Sequence, residues 1–492
     1  MPRPNILVFM TDQQRGATVL PDSSVKALTP NLDRYRKESV TFTKAFCPSP
    51  HCCPSRATFF SGLYPTEHGV WNNVDVGNTL SRGLNDNVRL WSEDLRDAGY
   101  RMHFAGKWHV SAEESPNDRG WDSTKPFKSR YSTAGGVWRN EPQTHEWGRL
   151  YKPELLRMPE TRGEAEILRE GYGTYTHYGE KENPFNDRAV TADGVRNLRE
   201  QPKSEQPWCH YIGVLGPHDP YMVPQKYLDM YDLDDIELPA SYSDRMQDKP
   251  GLYRRTRDRF DQLSEREHRE SIRHYLAFCT FLDDLFGDVL QALEERGERE
   301  NTMVLYCSDH GDYMAEHGLW CKGLPCFESS YHVPAIVRWP QRVANPGREV
   351  DEFVTLADFA PTFLEAADVP AERRFAGRSL LPFLDDQTPA DWTDAFFTQS
   401  NGNELYGIQR SVMTKEWKYV YNGFDYDELY DLTADPDETV NLADSLDHKP
   451  ILRAMAKRLW QFAYDNRDTA INSYILVSLA DYGPGIIFED TE

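Results

Sequence analysis

Apolar runs of strand length recur along this chain, separated by stretches with helical spacing. Asn5 to Met10 is the first run, and Met102 to Ala105, Cys209 to Leu215, Met303 to Cys307 and Val333 to Val337 follow. Val88 to Ala98 has helical spacing. So does Ser271 to Leu293, where Tyr275, Phe278, Phe281, Leu282, Leu285 and Leu290 fall on one face. Strands alternating with helices predict a large, mostly parallel sheet within a mixed α/β fold, with helices on both faces. Ligands of such sheets bind at the carboxyl ends of the strands. Polar residues directly follow several of the runs: Thr11-Asp12-Gln13, Gly106-Lys107-Trp108-His109, Gly216-Pro217-His218 and Ser308-Asp309-His310.

Two regions break the alternation. Ser111 to Arg188 is polar, rich in Gly, Tyr, Trp and charge, and without clear period, which predicts insertions around the mouth of a site. From about Asp394 the pattern changes to short strands at Ala395 to Thr398, Gln409 to Thr414 and Lys418 to Tyr421, then a helix at Ile451 to Tyr464. This predicts a catalytic α/β domain over 1–376 and a smaller α+β subdomain with an antiparallel sheet over 377–492, joined by a linker near Gly377 to Asp391.

Composition narrows the function. With 39% hydrophobic and 12% aromatic residues the chain can build a core. Its 55 basic against 79 acidic residues give a formal net charge of −24, which argues against nucleic acid or an anionic membrane as partner. Any anionic substrate must therefore meet clustered cations inside a negative field. No run approaches the roughly 20 apolar residues of a membrane span. The first apolar run is too short, and too soon followed by Asp12, to be a signal core, so the expectation is a cytoplasmic protein. The eight cysteines do not resemble a disulfide scaffold, and Cys209, Cys279 and Cys307 read as buried thiols.

Cys52-Cys53-Pro54-Ser55-Arg56, continuing Ala57-Thr58-Phe59-Phe60-Ser61-Gly62, is the most informative segment. Read plainly, it is a helix start with Pro in the first turn. It also resembles the signature of the sulfatases, formylglycine-dependent members of the alkaline phosphatase superfamily, in which the Cys two residues before Pro is oxidised to formylglycine. The resemblance makes Cys52 the modified residue and Cys53 the variable position. A hydrated aldehyde carries two hydroxyls on one carbon: one attacks sulfur, and loss of the other's proton then collapses the hemiacetal and expels sulfate. The helix N-terminus favours the developing negative charge.

The resemblance extends to Gly106-Lys107-Trp108-His109, Pro217-His218-Asp219-Pro220, Glu316-His317-Gly318 and Lys322, and near the end to Asp427 to Leu432 with Asp435-Pro436 and Asn441-Leu442. It implies that Arg56, Lys107 and Lys322 offset the sulfate charge. His109 is implied to orient and deprotonate the diol, and His218 or Lys322 to protonate the leaving oxygen. Asp12, Gln13, Asp309 and His310, with an oxygen of modified Cys52, are implied to hold one divalent cation. Calcium is the family's usual ion, and Mg²⁺ also suits oxygen ligands. Two residues depart from the commonest pattern: Gln13 stands for a second Asp and His310 for Asn. Both variants resemble a branch with choline sulfatases and phosphonate monoester hydrolases, and the imidazole suits Mn²⁺ or Zn²⁺ better than Ca²⁺.

Three functions follow from this reading: a sulfatase, a phosphonate monoester hydrolase or phosphodiesterase with the same nucleophile, and a non-catalytic binding protein. The last is expected to lack some of Cys52, Arg56, Lys107 and His218, and none is missing. Trp138, Arg139, Trp147, Arg149 and Tyr151, with Asn401, Asn403 and Arg410, are candidate substrate residues. Aromatics with Arg suit an anionic sugar, so a carbohydrate sulfate is the expected substrate. A formylglycine-generating enzyme is the expected maturation partner.

Overall fold

The computed structural model describes residues 3–21, 23–75, 79–123, 161–169, 173–403, 405–472 and 479–489. Its main sheet has seven strands: β1 (Asn5–Asp12), β2 (Val40–Phe46), β3 (Arg101–Gly106), β4 (Trp208–Pro217), β5 (Thr302–Ser308), β6 (Ala335–Arg338) and β7 (Arg348–Thr355). Their order is β7-β2-β6-β5-β1-β4-β3. Only β6 runs against the others, so the carboxyl ends of the remaining strands gather at one edge.

β1 lies at the centre, paired with β4 and β5, and all eight of its residues are buried. That is why its apolar run is continuous rather than alternating. Ile6, Val8 and Met10 enter one core with Phe59, Phe60 and Trp91. Leu7 and Phe9 enter the other, with Phe278 and Phe286. The first core is covered by helices α2 (Cys52–Ser61), α3 (Trp91–Asp97) and α6 (Phe359–Ala366). The second is covered by α1 (Pro30–Arg36), α4 (Asp187–Glu200) and α5 (Glu265–Arg296). The amphipathic stretch over 271–293 lies inside α5. Ser264 and Glu267 form a capping box at its start, and Gly297 in the left-handed region ends it. Among the described residues no helix is long and apolar enough to cross a membrane.

A second, antiparallel sheet has the order β8 (Phe396–Gly402), β9 (Tyr406–Met413), β10 (Trp417–Asn422) and β11 (Glu428–Asp431). Helix α7 (Lys449–Asp465) packs on it through Leu452, Leu459 and Trp460. The expected linker is not a free connector. Leu380, Leu381, Phe383 and Leu384 are buried in the first core, so the stretch near 377–391 belongs to the main body. The two sheets also share contacts: Phe46 stacks on Phe396 with centroids 4.7 Å apart, and Gln399 N donates to Pro48 O at 2.8 Å. All eight cysteines are free.

Candidate active site

α2 starts just beyond the carboxyl end of β2 and is buried along its whole length. Pro54 sits in the first turn, where its missing N–H removes a donor that the helix would leave unpaired. Cys53 N donates to Asn73 Oδ1 at 3.1 Å, and Ser55 Oγ donates to the carbonyl of Asp309. Gly62 closes the helix at φ 72°, where a Cβ would come within 2.8 Å of both Phe375 and Ala360. Cys52 is thereby fixed at the N-terminus, at the sheet edge.

Three strand ends converge on it. Ligand atoms of Asp12, Cys52, Asp309 and His310 all lie within 4.8 Å of one another, and all four residues are buried. Cys52 Sγ is 3.3 Å from His310 Nε2 and 3.8 Å from Asp12 Oδ1. Arg56 is 0% exposed and bridges both carboxylates, with Nε 2.8 Å from Asp309 Oδ2 and Nη2 3.0 Å from Asp12 Oδ2. Its Nη1 donates to Lys107 O at 3.1 Å and Tyr211 Oη at 3.0 Å. Lys107 Nζ donates to Asp12 Oδ2.

The donor set can hold a cation. His310 Nδ1 lies 2.9 Å from Gly311 O and donates to it, which leaves the Nε2 lone pair facing Asp12 Oδ1 at 3.9 Å and Asp309 Oδ1 at 3.7 Å. Three acceptors aimed at one buried point call for a positive ion between them. Gln13 is placed differently. Its backbone N donates to Asp309 Oδ1 at 3.1 Å, but its side-chain oxygen accepts from Lys322 Nζ at 2.6 Å and its Nε2 donates to Asp312 Oδ2 at 2.6 Å. As a ligand it would have to share that oxygen with Lys322.

Lys322 Nζ also donates to His218 Nε2 at 2.8 Å, while His218 Nδ1 donates to Asp219 O at 2.6 Å. His109 Nε2 lies 2.9 Å from Asp75 Oδ1. Asp75 gave no signal in sequence, because its loop acquires meaning only by meeting His109. Asp219 stood in the motif beside His218 without a role, and Asp312 was not singled out: Asp219 accepts from Tyr175 at 2.6 Å, and Asp312 from Tyr221 at 2.6 Å.

The electrostatics answer the problem posed by the acidic chain. Burial pushes the Cys52 thiol up, yet Lys107, Lys322 and His310 hold it well below the usual thiol range. Burial and Cys52 raise the Asp12 carboxyl, and Lys107 and Arg56 overcome them, so it stays below the usual carboxylate range. Burial, and the charge of Asp12, raise Asp309. The pocket around Cys52 is locally cationic and stabilises negative charge.

The substrate candidates fare unevenly. Trp138, Arg139, Trp147, Arg149 and Tyr151 lie outside the described residues. Arg410 is corrected: it is 2% exposed, and its guanidinium grips both oxygens of Asp468, at 2.5 and 2.9 Å, and the carbonyl of Ser400 at 3.0 Å. It has a structural environment rather than a pocket position. Asn401 accepts from it at 3.1 Å. Asn403 Oδ1 accepts from Asn73 N at 2.9 Å.

Residues 4–369 match the family described as Sulfatase, and residues 315–465 match the C-terminal part of N-sulphoglucosamine sulphohydrolase. The uncharacterized sulfatase YidJ of Escherichia coli is 28% identical over 480 residues, covering 95% of this chain and 88% of that one. A choline-sulfatase of Rhizobium meliloti is 28% identical, over 90% of this chain and 83% of its own. An N-acetylglucosamine-6-O-sulfatase of Bacteroides thetaiotaomicron is 25% identical, over 89% and 82%. Among solved structures, the phosphonate monoester hydrolase of Agrobacterium radiobacter superposes with a TM-score of 0.74 at 24% identity, covering 94% of this chain and 96% of that one. With the match spanning most of the chain and the strand-end cluster in place, this protein belongs to the sulfatase family of sulfuric ester hydrolases.

Proposed function

We propose that this sulfatase hydrolyses a sulfate monoester on a carbohydrate, with Cys52 converted to formylglycine and one divalent cation held by Asp12, Asp309, His310 and the modified residue. The observation that carries the reading is the convergence of Asp12, Cys52, Asp309 and His310 within 4.8 Å at the start of α2. Two carboxylates with an imidazole accept a hard or borderline cation, calcium by the family's habit. When bound, such an ion withdraws charge from a sulfate oxygen.

The residues divide the remaining work. Lys107 and Arg56 keep Asp12 ionised and balance charge behind the nucleophile. His109, held by Asp75, is the base that takes the proton of a diol hydroxyl. Lys322 and His218 share one hydrogen bond at 2.8 Å, so they act as a pair that binds sulfate and delivers a proton to the leaving oxygen. The N-acetylglucosamine-6-O-sulfatase relative supports a sugar as the leaving group.

Kinetics on defined substrates test this reading. The enzyme, co-produced with a formylglycine-generating enzyme and loaded with calcium, is expected to turn over sulfated mono- or oligosaccharides with higher kcat/KM than choline sulfate or aryl phosphonate esters. A preference for the phosphonate would overturn the assignment in favour of a phosphonate monoester hydrolase.

A further inference from the structure

Beside the oxygen-rich cluster lies a second convergence, which shares His109 and Asp75 with the hydrolytic site and adds Cys53. Ligand atoms of Cys53, Asp75 and His109 lie within 4.8 Å of one another. Cys53 is 0% exposed, and the side chains of His109 and Asp75 are 9% and 20% exposed. One thiol, one imidazole and one carboxylate form a donor set of different character from the first. Zinc is bound by sulfur, nitrogen and oxygen at short distances with four-fold coordination, whereas calcium takes six to eight oxygens. His109 Nε2 faces Asp75 Oδ1 at 2.9 Å, while Nδ1 is buried with no hydrogen-bond partner among the described residues. Cys53 occupies the variable position between Cys52 and Pro54, so the nucleophile does not require a thiol there.

We propose that Cys53, Asp75 and His109 form a second metal site, selective for a borderline cation such as Zn²⁺, which acts as a brake on the enzyme. Binding releases the Cys53 thiol proton to solvent and forms metal–sulfur, metal–nitrogen and metal–oxygen bonds, leaving a fourth position for water. No change of oxidation state is involved. Occupation ties up His109 and takes it away from the diol. This inhibitory half rests on the role proposed for His109; the binding half does not.

Two readouts separate the halves. Cobalt added to the Cys52→Ala protein probes binding, because a thiolate ligand gives a sulfur-to-cobalt charge-transfer band, and Cys53 is then the thiol nearest the site. The band is expected in Cys52→Ala and absent once Cys53→Ser or Cys53→Ala is added. Zinc titrated into mature enzyme with calcium in excess probes the brake. Cys53→Ser is expected to raise the half-inhibiting zinc concentration by about tenfold or more, the effect of roughly 1.4 kcal/mol in binding. A Cys53-dependent band with unchanged zinc sensitivity supports the site and removes the role of His109. Absence of the band, or inhibition that calcium relieves equally with and without Cys53, overturns the site.

Discussion

Arg56 and Arg410 look alike by every simple criterion. Both are almost fully buried, and both hold carboxylates through charge-assisted hydrogen bonds. The difference is in what surrounds the pair. Around Arg410 the charge is closed: Asp468 takes two of its nitrogens, carbonyls of Ser400 and Gln409 take a third, and Trp71 lies 5.2 Å from the guanidinium carbon. Around Arg56 the charge is open. Asp12 and Asp309 each keep an oxygen turned toward Cys52 and His310. A buried ion pair therefore says little about function. A buried ion pair that leaves acceptors aimed at a common point says a great deal.

Substitution of the two arginines is the widest test of this contrast. Removing one partner of a buried pair costs about 3–5 kcal/mol of stability, because a charge is left uncompensated. Both Arg56→Ala and Arg410→Ala should lower the denaturation midpoint by that measure. Only Arg56→Ala should also lower turnover per folded molecule, by about 10²- to 10³-fold, since it removes support for developing negative charge. Turnover normalised to folded protein decides the matter. Equal losses in the two variants would break the comparison.

The Lys322–His218 pair sharpens it at the other side of the pocket. Proton delivery to a poor leaving group contributes about 10²- to 10⁴-fold, and an activated aryl ester needs little of it. His218→Ala should therefore damage hydrolysis of a sugar sulfate far more than that of nitrophenyl sulfate. Lys322→Ala arbitrates: a loss that depends on the leaving group moves the acid to lysine. Equal losses on both substrates for His218→Ala would make His218 a sulfate-binding residue.

Asp75→Asn should have the smallest effect. Unlike Asp12, Asp75 is partly exposed and touches the nucleophile only through His109. Losing a hydrogen bond to a charged group costs about 1.5–3 kcal/mol, or roughly 10- to 100-fold in rate. Kinetics on nitrophenyl sulfate should register it in kcat with KM preserved. A rise in KM alone would show that the loop binds substrate instead of positioning His109.

Legibility in the sequence follows from how local each signal is. The central strands were legible because β1, β4 and β5 are buried on both faces and so carry unbroken apolar runs. β2 and β7, toward one margin of the sheet, alternate with Thr, Lys, Glu and Asp and gave no such run. The residues around Cys52 were legible because strand ends and a helix N-terminus fix them by short segments. Asp75 and the packing of the 380–384 stretch were not, since both depend on tertiary contact alone. Arg410 was misread for the same reason: nothing near it in sequence announces Asp468.

The charge gathered around position 52 is proposed to serve an aldehyde-derived nucleophile. Peptide mass spectrometry at residue 52, combined with hydrazide capture and specific activity across preparations of differing conversion, tests it most directly. Activity is expected to rise in proportion to the fraction of aldehyde and to vanish in Cys52→Ala. Full activity in protein that retains a thiol at position 52 would contradict it.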